Sequence, residues 1–175
     1  ERCGDAEGEV CVFPTLNADS GATYTDYVTR DNLFIEPAGL AVRYAGEDGE
    51  NNPTFINPVM EYMTCIDCNT VYGSGSAFQL HDSDGGRMQH LACLRPHGDG
   101  GCVSSYYSTG LYMADVWCKD TTYVEGQVNG NFCWDIDLGN DGVVVERIFG
   151  IDSPGLESVS GCSGGQSCSG IFGAI

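Results

Sequence analysis

Short runs of strand-forming residues, separated by glycine-rich turns, constrain the fold of this chain more than any other feature. Glycine is 25 of the 175 residues and is spread along the whole sequence, which indicates many turns rather than one linker. No window of a dozen residues carries a convincing apolar stripe of helical period, although residues 57–63, after an Asn-Pro start, are predicted to hold a helical turn or two. The strand-like runs are 9–13, 22–29, 40–44, 76–81, 87–93, 102–107, 111–118, 122–128, 131–138 and 143–149.

The spacing of these runs, about 8–12 residues, predicts an all-β fold. We expect a disulfide-stabilised antiparallel β-sandwich or barrel with long glycine-rich loops and little helix. A length of 175 residues, 42% of them hydrophobic, suits a single domain over residues 1–175 with a sizeable core. The Ser/Gly-rich stretch 158–175 is expected to be a C-terminal tail, and we find no internal repeat and no domain boundary.

Ten cysteines, an even number, favour five disulfides in a secreted, extracellular protein. The one Cys-x-x-Cys unit, residues 65–68, has no second unit to complete a zinc site, and its flanks lack the helix pattern of a thioredoxin-like redox centre. If most bridges are local, the expected pairs are Cys93–Cys102, Cys118–Cys133 and Cys162–Cys168. The chain begins at Glu1 without a basic-then-apolar leader, so we expect that any secretion signal has been removed.

The charge is strongly acidic, with 25 Asp and Glu against 7 Lys and Arg and a net charge of −18. Nucleic acids and anionic membranes attract clustered basic residues, so neither is an expected partner. No stretch approaches the roughly 18 apolar residues of a membrane span, and we expect no membrane insertion.

A predicted hairpin supplies the first candidate chemistry. The strand 131–138, a turn at 139–142 and the strand 143–149 would place Asp135 opposite Glu146 with a two-residue loop, or opposite Arg147 with a three-residue loop ending in a left-handed glycine. The second register is favoured because it avoids opposed like charges. In the first, Asp135, Glu146 and Asp137 form a carboxylate cluster compatible with a glycosidase, against the plainer interpretation of a solvated acidic face.

A second candidate is a metal site between residues 81 and 99. This stretch holds all three histidines (His81, His90 and His97) together with Asp82, Asp84 and Asp99. Asp82-Ser83-Asp84-Gly85 resembles the opening of a calcium loop, but no glutamate closes it at the twelfth position. No cofactor is required by the sequence; calcium on Asp82, Asp84 and Asp99 is the metal hypothesis, and ordinary Asp-Gly turns are its alternative.

Aromatic residues between 106 and 134 form the third candidate. Exposed Tyr and Trp rings beside polar groups make a platform for the C–H faces of sugars, and the predicted ligand-binding residues are Tyr106, Tyr107, Tyr112 and Trp117. The alternative is that Trp117 and Trp134 belong to the core, which their alternation with polar residues favours for at least one of them.

Three functional hypotheses follow. The preferred one is a secreted protein that binds carbohydrate or an extracellular protein. The second is a small glycosidase-like hydrolase. The third is a structural subunit of a surface coat or filament, or a secreted effector, in which the chain self-associates.

Overall fold

The computed structural model describes residues 10–12, 23–37, 40–44, 55–68, 76–97, 101–121, 133–137, 139–152, 157–159 and 169–174. In these ranges the chain forms strands and no helix, so the all-β prediction is confirmed. Every strand pair is parallel, and the predicted antiparallel sandwich or barrel is therefore wrong. The helical turn predicted at residues 57–63 is wrong as well, because strand β7 begins at Val59.

The strands are organised in three sheets. Sheet I joins, in spatial order, β1 (Val10–Val12), β5 (Leu40–Tyr44), β8 (Phe78–His81), β11 (Val103–Tyr106), β13 (Trp134–Asp137) and β15 (Glu157–Val159). Sheet II joins β16 (Ser169–Ala174), β14 (Val144–Ile151), β12 (Tyr112–Lys119), β10 (Arg87–Leu94), β7 (Val59–Ile66) and β3 (Val28–Arg30), with β4 (Leu33–Ile35) also paired to β7. Sheet III joins β2 (Tyr24–Thr25), β6 (Phe55–Ile56) and β9 (Ser83–Asp84).

The order in which the chain visits these sheets defines a parallel β-solenoid. One pass runs β5, β6, β7 through sheets I, III and II, and the next pass runs β8, β9, β10 through the same three sheets. Neighbouring strands of a sheet thus belong to successive coils. Because every coil runs through the sheets in the same order and direction, these strands pair in parallel. Each coil rests on the coils before and after it, as in other repeat architectures.

The core is built from columns of inward side chains, one residue from each coil. In sheet I these columns are Val42, Phe78, Val103 and Trp134, and beside them Tyr44, Leu80, Ser105 and Ile136. In sheet II they are Met60, Met88, Met113 and Val145, then Met63, Leu91, Val116 and Ile148. All of these residues are buried, so removal of their apolar surface from water stabilises the stack.

The corners of the coils use the left-handed backbone region. Fourteen described non-glycine residues have positive φ, and seven of them are aspartates. Asp and Asn tolerate this conformation better than other side chains because they hydrogen-bond to the local backbone, and glycine adopts it without steric cost. One corner is occupied in successive coils by Asp26, Asn57, Gly85, Gly110 and Gly142.

These corners expose a repeat that the sequence analysis did not find. The segments 57–61, 85–89, 110–114 and 142–146 each begin at a left-handed corner, and their fourth residues, Met60, Met88, Met113 and Val145, form one core column. The expectation of no internal repeat is therefore wrong. The period is uneven because the stretches between strands of successive coils differ in length, so a search at one fixed spacing misses it.

The predicted hairpin is also wrong. β13 belongs to sheet I and pairs with β11 and β15, whereas β14 belongs to sheet II and pairs with β12 and β16. Asp135 therefore lies opposite Ser104 and Ser158, and neither proposed register with Glu146 or Arg147 occurs. Gly139 and Gly142 do have positive φ, as expected of turn glycines, but they mark two corners of one coil instead of a reversal.

Two disulfides lie within the described residues. Cys93–Cys102 confirms one predicted local bridge and joins the end of β10 to the residue before β11, with a Cα–Cα distance of 5.5 Å. Cys65–Cys68 closes the Cys-x-x-Cys unit. Cys162, Cys168 and most of the predicted tail lie outside the described residues. Among the residues that are described, no helix is long and apolar enough to cross a membrane.

Candidate functional site

The outer face of sheet II carries an aromatic pair on two neighbouring coils. Trp117 and Phe149 are register partners on β12 and β14, their ring centroids are 4.6 Å apart and their planes are inclined by 22°. That separation is close to the spacing of adjacent strands, about 4.8 Å, so the two rings stack along the solenoid axis. Trp117 remains 47% exposed, whereas Trp134 is 3% exposed and belongs to the core.

The second face of the Trp117 ring is directed toward the preceding coil, where the register partner is Ala92. A methyl side chain is too short to cover an indole, so the surface is recessed at this point. We call this the Ala92 recess and define it by its half-buried floor, Ala92, and by the residues around it: Trp117 and Thr64 along the axis, His90 and Leu94 along the strand.

Polar side chains line the corner next to the recess. Arg147 donates two hydrogen bonds to the Asp115 carboxylate, from Nε at 2.6 Å and from a terminal nitrogen at 3.0 Å. These bonds hold the pKa of the Asp115 carboxyl below its usual value. His90 Nδ1 lies 3.7 Å from the same carboxylate, and the His90 ring stacks on Tyr62 at 4.6 Å. The corner thus fixes a charged, hydrogen-bonding edge beside an aromatic surface.

The predicted ligand-binding residues fall on different faces. Tyr112 and Trp117 lie on β12 in sheet II, where the Tyr112 hydroxyl donates to Glu146 Oε2 at 3.0 Å. Tyr106 lies in sheet I, and Tyr107, 45% exposed, lies at the corner that follows β11. The structure therefore does not bring the four residues together as one platform.

The three predicted catalytic carboxylates are also separated. Asp135 and Asp137 lie on β13 in sheet I, where Asp135 accepts a hydrogen bond from the Tyr106 hydroxyl at 3.0 Å and Asp137 is the register partner of Tyr106. Glu146 lies in sheet II and is bonded by Tyr112 and Arg147. Asp135 and Glu146 would be close together only in the predicted hairpin, and in the observed topology they lie in different sheets.

A shielded polar cluster occupies the outer side of sheet I around His81 and Tyr106. The two rings meet edge to face with centroids 4.6 Å apart, and Ser104 is buried beside them. Burial, together with the nearby positive charge of Arg43, lowers the pKa of His81 to about 3, so its imidazole is neutral near pH 7. His81 Nε2 and Ser104 Oγ are both buried without a hydrogen-bond partner.

The predicted metal residues do not converge in the described part of the chain. Asp82 is buried at the corner after β8, where burial raises the pKa of its carboxyl, and Asp84 is exposed in β9. Asp99 lies outside the described residues. Within them, no group of three His, Cys, Asp or Glu side chains is placed to hold a metal ion. Calcium binding stays a prediction from the sequence.

Sequence reasoning identified Trp117 but missed its register partners Ala92 and Phe149, and Thr64 beyond Ala92. The signal was present in the uneven repeat: aligning the segments that follow each corner places Thr64, Ala92, Trp117 and Phe149 at one position of successive coils. An alanine directly before a tryptophan in such a column marks an uncovered ring face.

No protein family, no curated protein and no solved structure matches the chain.

Proposed function

We propose that this protein binds carbohydrate on the outer face of sheet II. The observation that carries the proposal is the half-exposed ring of Trp117, which is supported on one face by Phe149 and directed on the other toward the small side chain of Ala92. A rigid aromatic face that meets water offers the apolar side of a sugar ring a stacking surface at low entropic cost.

The polar surroundings support the same ligand class. Sugar hydroxyls both donate and accept hydrogen bonds, and the polar residues near Ala92 are Thr64, its register partner, and His90, whose Nδ1 lies 3.7 Å from the Asp115 carboxylate. Asp115 is already oriented by Arg147, so little side-chain freedom is lost when a ligand binds. The disulfides are compatible with an extracellular location, where we expect the protein to be secreted and to meet glycans.

The test is a glycan array followed by calorimetric titration of the glycans that bind, with Trp117→Ala compared with Tyr107→Ala. Both residues are exposed aromatics of similar accessibility, but Tyr107 lies at a corner outside sheet II. We expect Trp117→Ala to weaken binding at least about tenfold, as loss of a central aromatic contact does, and Tyr107→Ala to leave it unchanged. The absence of any glycan binding, or equal losses in both variants, contradicts the proposal.

The same panel of glycans also tests the hydrolase hypothesis and the structural hypothesis. Release of reducing ends that is lost in Asp135→Asn would favour the hydrolase, with Asp135 and Asp137 as the carboxylates that share a strand. Ligand-independent growth in light scattering would favour the structural hypothesis.

A further inference from the structure

We infer that a cleft at β3, β7 and β10 is a second carbohydrate site, in which Arg30, Glu61 and Arg87 hold two hydroxyls of a neutral sugar. The inference rests on the proposed function for its ligand class, but it concerns a different place on the molecule. Arg30, Glu61 and Arg87 precede the left-handed corners in the middle of sheet II, and Trp117 follows them. These corners are Asp31, Tyr62, His90, Asp115 and Arg147.

The cleft has the size and the mixed lining of a ligand site. Its volume is about 550 Å³, within the range of about 300–1,000 Å³ that is usual for small-molecule sites. The lining residues are Val28, Thr29, Arg30, Asn32, Glu61 and Arg87. The Val28 side chain is 47% exposed, so the cleft offers an apolar contact for the C–H groups of a sugar beside its polar groups.

Glu61 is the most deeply placed polar group of the cleft, with only 10% of its side chain exposed. Its Oε2 accepts two hydrogen bonds from Arg87, at 3.3 Å from Nε and at 3.2 Å from a terminal nitrogen. Its Oε1 lies 3.7 Å from a terminal nitrogen of Arg30, which is too far for a direct hydrogen bond. One oxygen of a fixed carboxylate is therefore available to accept from a ligand.

The two arginines supply the matching donors. The Arg30 guanidinium makes no hydrogen bond to a described residue, and its ion pairs with Glu61 and Asp31 measure 3.7 Å and 3.9 Å. A hydroxyl oxygen about 2.8 Å from both atoms of the 3.7 Å pair fits between them, where it accepts from Arg30 and donates to Glu61. Arg87 has a second terminal nitrogen that is not hydrogen-bonded within the described residues, and it donates to the next hydroxyl of the sugar.

The charges at the cleft favour a neutral ligand. Arg30 and Arg87 stand against Glu61 in the lining, and the exposed Asp26 and Asp31 flank β3. A carboxylate ligand would accept from the arginines but would lie beside the Glu61 carboxylate, and an ammonium ligand would lie beside two guanidinium groups. A hydroxyl pair meets neither repulsion, because each hydroxyl both donates and accepts.

The experiment is an NMR titration of the folded chain, which reports binding at each site separately. The probes are the methyl glycosides of glucose, galactose and mannose, with acetate and ethylammonium as the charged probes. For a glycoside that binds, we expect the backbone signals of residues 28–32 and the side-chain N–H signals of Arg30 and Arg87 to follow one binding curve. Tighter binding of acetate or ethylammonium than of every glycoside, or no shift of these signals with any glycoside, overturns the inference.

Arginine variants provide the second arm. Arg30→Gln removes a guanidinium whose described contacts are two long ion pairs, so the fold is expected to be kept. Arg95→Gln is the control for Arg87→Gln, because the two side chains are 44% and 47% exposed and Arg95 pairs with Asp67 outside the cleft. We expect Arg30→Gln and Arg87→Gln each to weaken binding at the cleft at least about tenfold and Arg95→Gln to leave it unchanged. Equal losses in all three variants, or no loss in any, contradict the inference.

Trp117→Ala distinguishes this inference from the proposed function. We expect Trp117→Ala to leave the shifts at the cleft unchanged, and Arg30→Gln to leave the shift of the Trp117 indole N–H unchanged. Glycoside binding at the cleft without any at Trp117 would support the second site and contradict the proposed function. Binding at Trp117 without any at the cleft would support the proposed function and overturn the second site.

Discussion

Asn140 links two successive coils through a single buried amide. Its side-chain nitrogen donates to the Ser105 carbonyl at 2.7 Å, and its oxygen accepts from the Ser105 hydroxyl at 3.0 Å and from the Ser108 backbone N–H at 2.9 Å. The sequence places Asn140 in a turn and gives no hint of this role, because Ser105 and Ser108 lie more than thirty residues earlier. A residue that satisfies three buried groups is costly to lose.

We therefore expect Asn140→Ala to lower the free energy of unfolding by about 2–4 kcal/mol, since buried donors and acceptors lose their partner. Asp141→Ala, at the adjacent exposed residue, should change it by no more than about 0.5 kcal/mol. Urea unfolding followed by circular dichroism measures both values. Equal stability of the two variants would show that the amide network does not contribute.

Substitutions at two corner glycines distinguish the energetic cost of a left-handed backbone from the cost of a steric clash. Gly86 has a φ of +98°, and a Cβ there would lie 2.6 Å from the Pro58 carbonyl oxygen, whereas Gly110 has a φ of +65° and nothing closer than 4.0 Å. Gly110→Ala should cost about 1–2 kcal/mol for the left-handed conformation, and Gly86→Ala about 1–3 kcal/mol more for the clash. Chemical unfolding of both variants gives the difference; a difference near zero would mean that the Pro58 segment moves away.

At the scale of elements, several strand positions could be predicted, but the strands β4, β6 and β7 and the pairing partners could not. Residues 40–44 were predicted as a strand and form β5, and the predicted runs 87–93 and 111–118 correspond to β10 and β12 within one or two residues. Alternating burial is a local property that the sequence records directly. Strand pairing depends on which coils stack on each other, and this is not a local property of the sequence. The antiparallel prediction was wrong because it assumed that strands consecutive in the chain pair with each other.

Cys118 and Cys133 occupy positions equivalent to a bridged pair. Cys118 is the register partner of Cys93, and Cys133 precedes β13 as Cys102 precedes β11, with the Cys102 N–H donating to the Cys133 carbonyl. Both cysteines are buried. Cys118 and Cys133 therefore occupy, one coil further along the solenoid, the same backbone positions as the bridged residues Cys93 and Cys102.

We expect Cys118 and Cys133 to form a disulfide that stacks on Cys93–Cys102. Peptide mapping by mass spectrometry without reductant should yield the linked peptides, and replacing both cysteines by alanine should cost about 3 kcal/mol of stability, as expected for a loop of about 15 residues. Alkylation of both cysteines in denaturant without reductant would contradict the bridge.

For the whole molecule, a buried histidine links stability to pH. His81 has a pKa of about 3 in the folded state because it is buried and lies near Arg43, and an unfolded histidine titrates near 6.5. Between these values the unfolded chain binds a proton that the folded chain does not, so the free energy of unfolding falls as the pH is lowered through this window.

The contribution of His81 is at most about 1.4 kcal/mol for each pH unit between roughly pH 6 and pH 4. We expect His81→Gln to flatten the dependence of unfolding free energy on pH in that window relative to the wild-type chain. Guanidinium unfolding at pH 4, 5, 6 and 7 measures both slopes, and an offset of constant size between the two chains reflects packing alone. Parallel curves would show that His81 does not control the slope.

The aspartates at the left-handed corners affect the isoelectric point of this protein, but the fold does not require their charge. Corner aspartates such as Asp26, Asp31, Asp120 and Asp152 are exposed or half-buried, and asparagine adopts the same backbone conformation. Seven of the 25 Asp and Glu residues are aspartates at such positions, so this part of the acidity is a by-product of turning the chain at each coil. Asparagine at these corners would shift the migration of the protein in isoelectric focusing toward neutral pH, while the solenoid keeps its form.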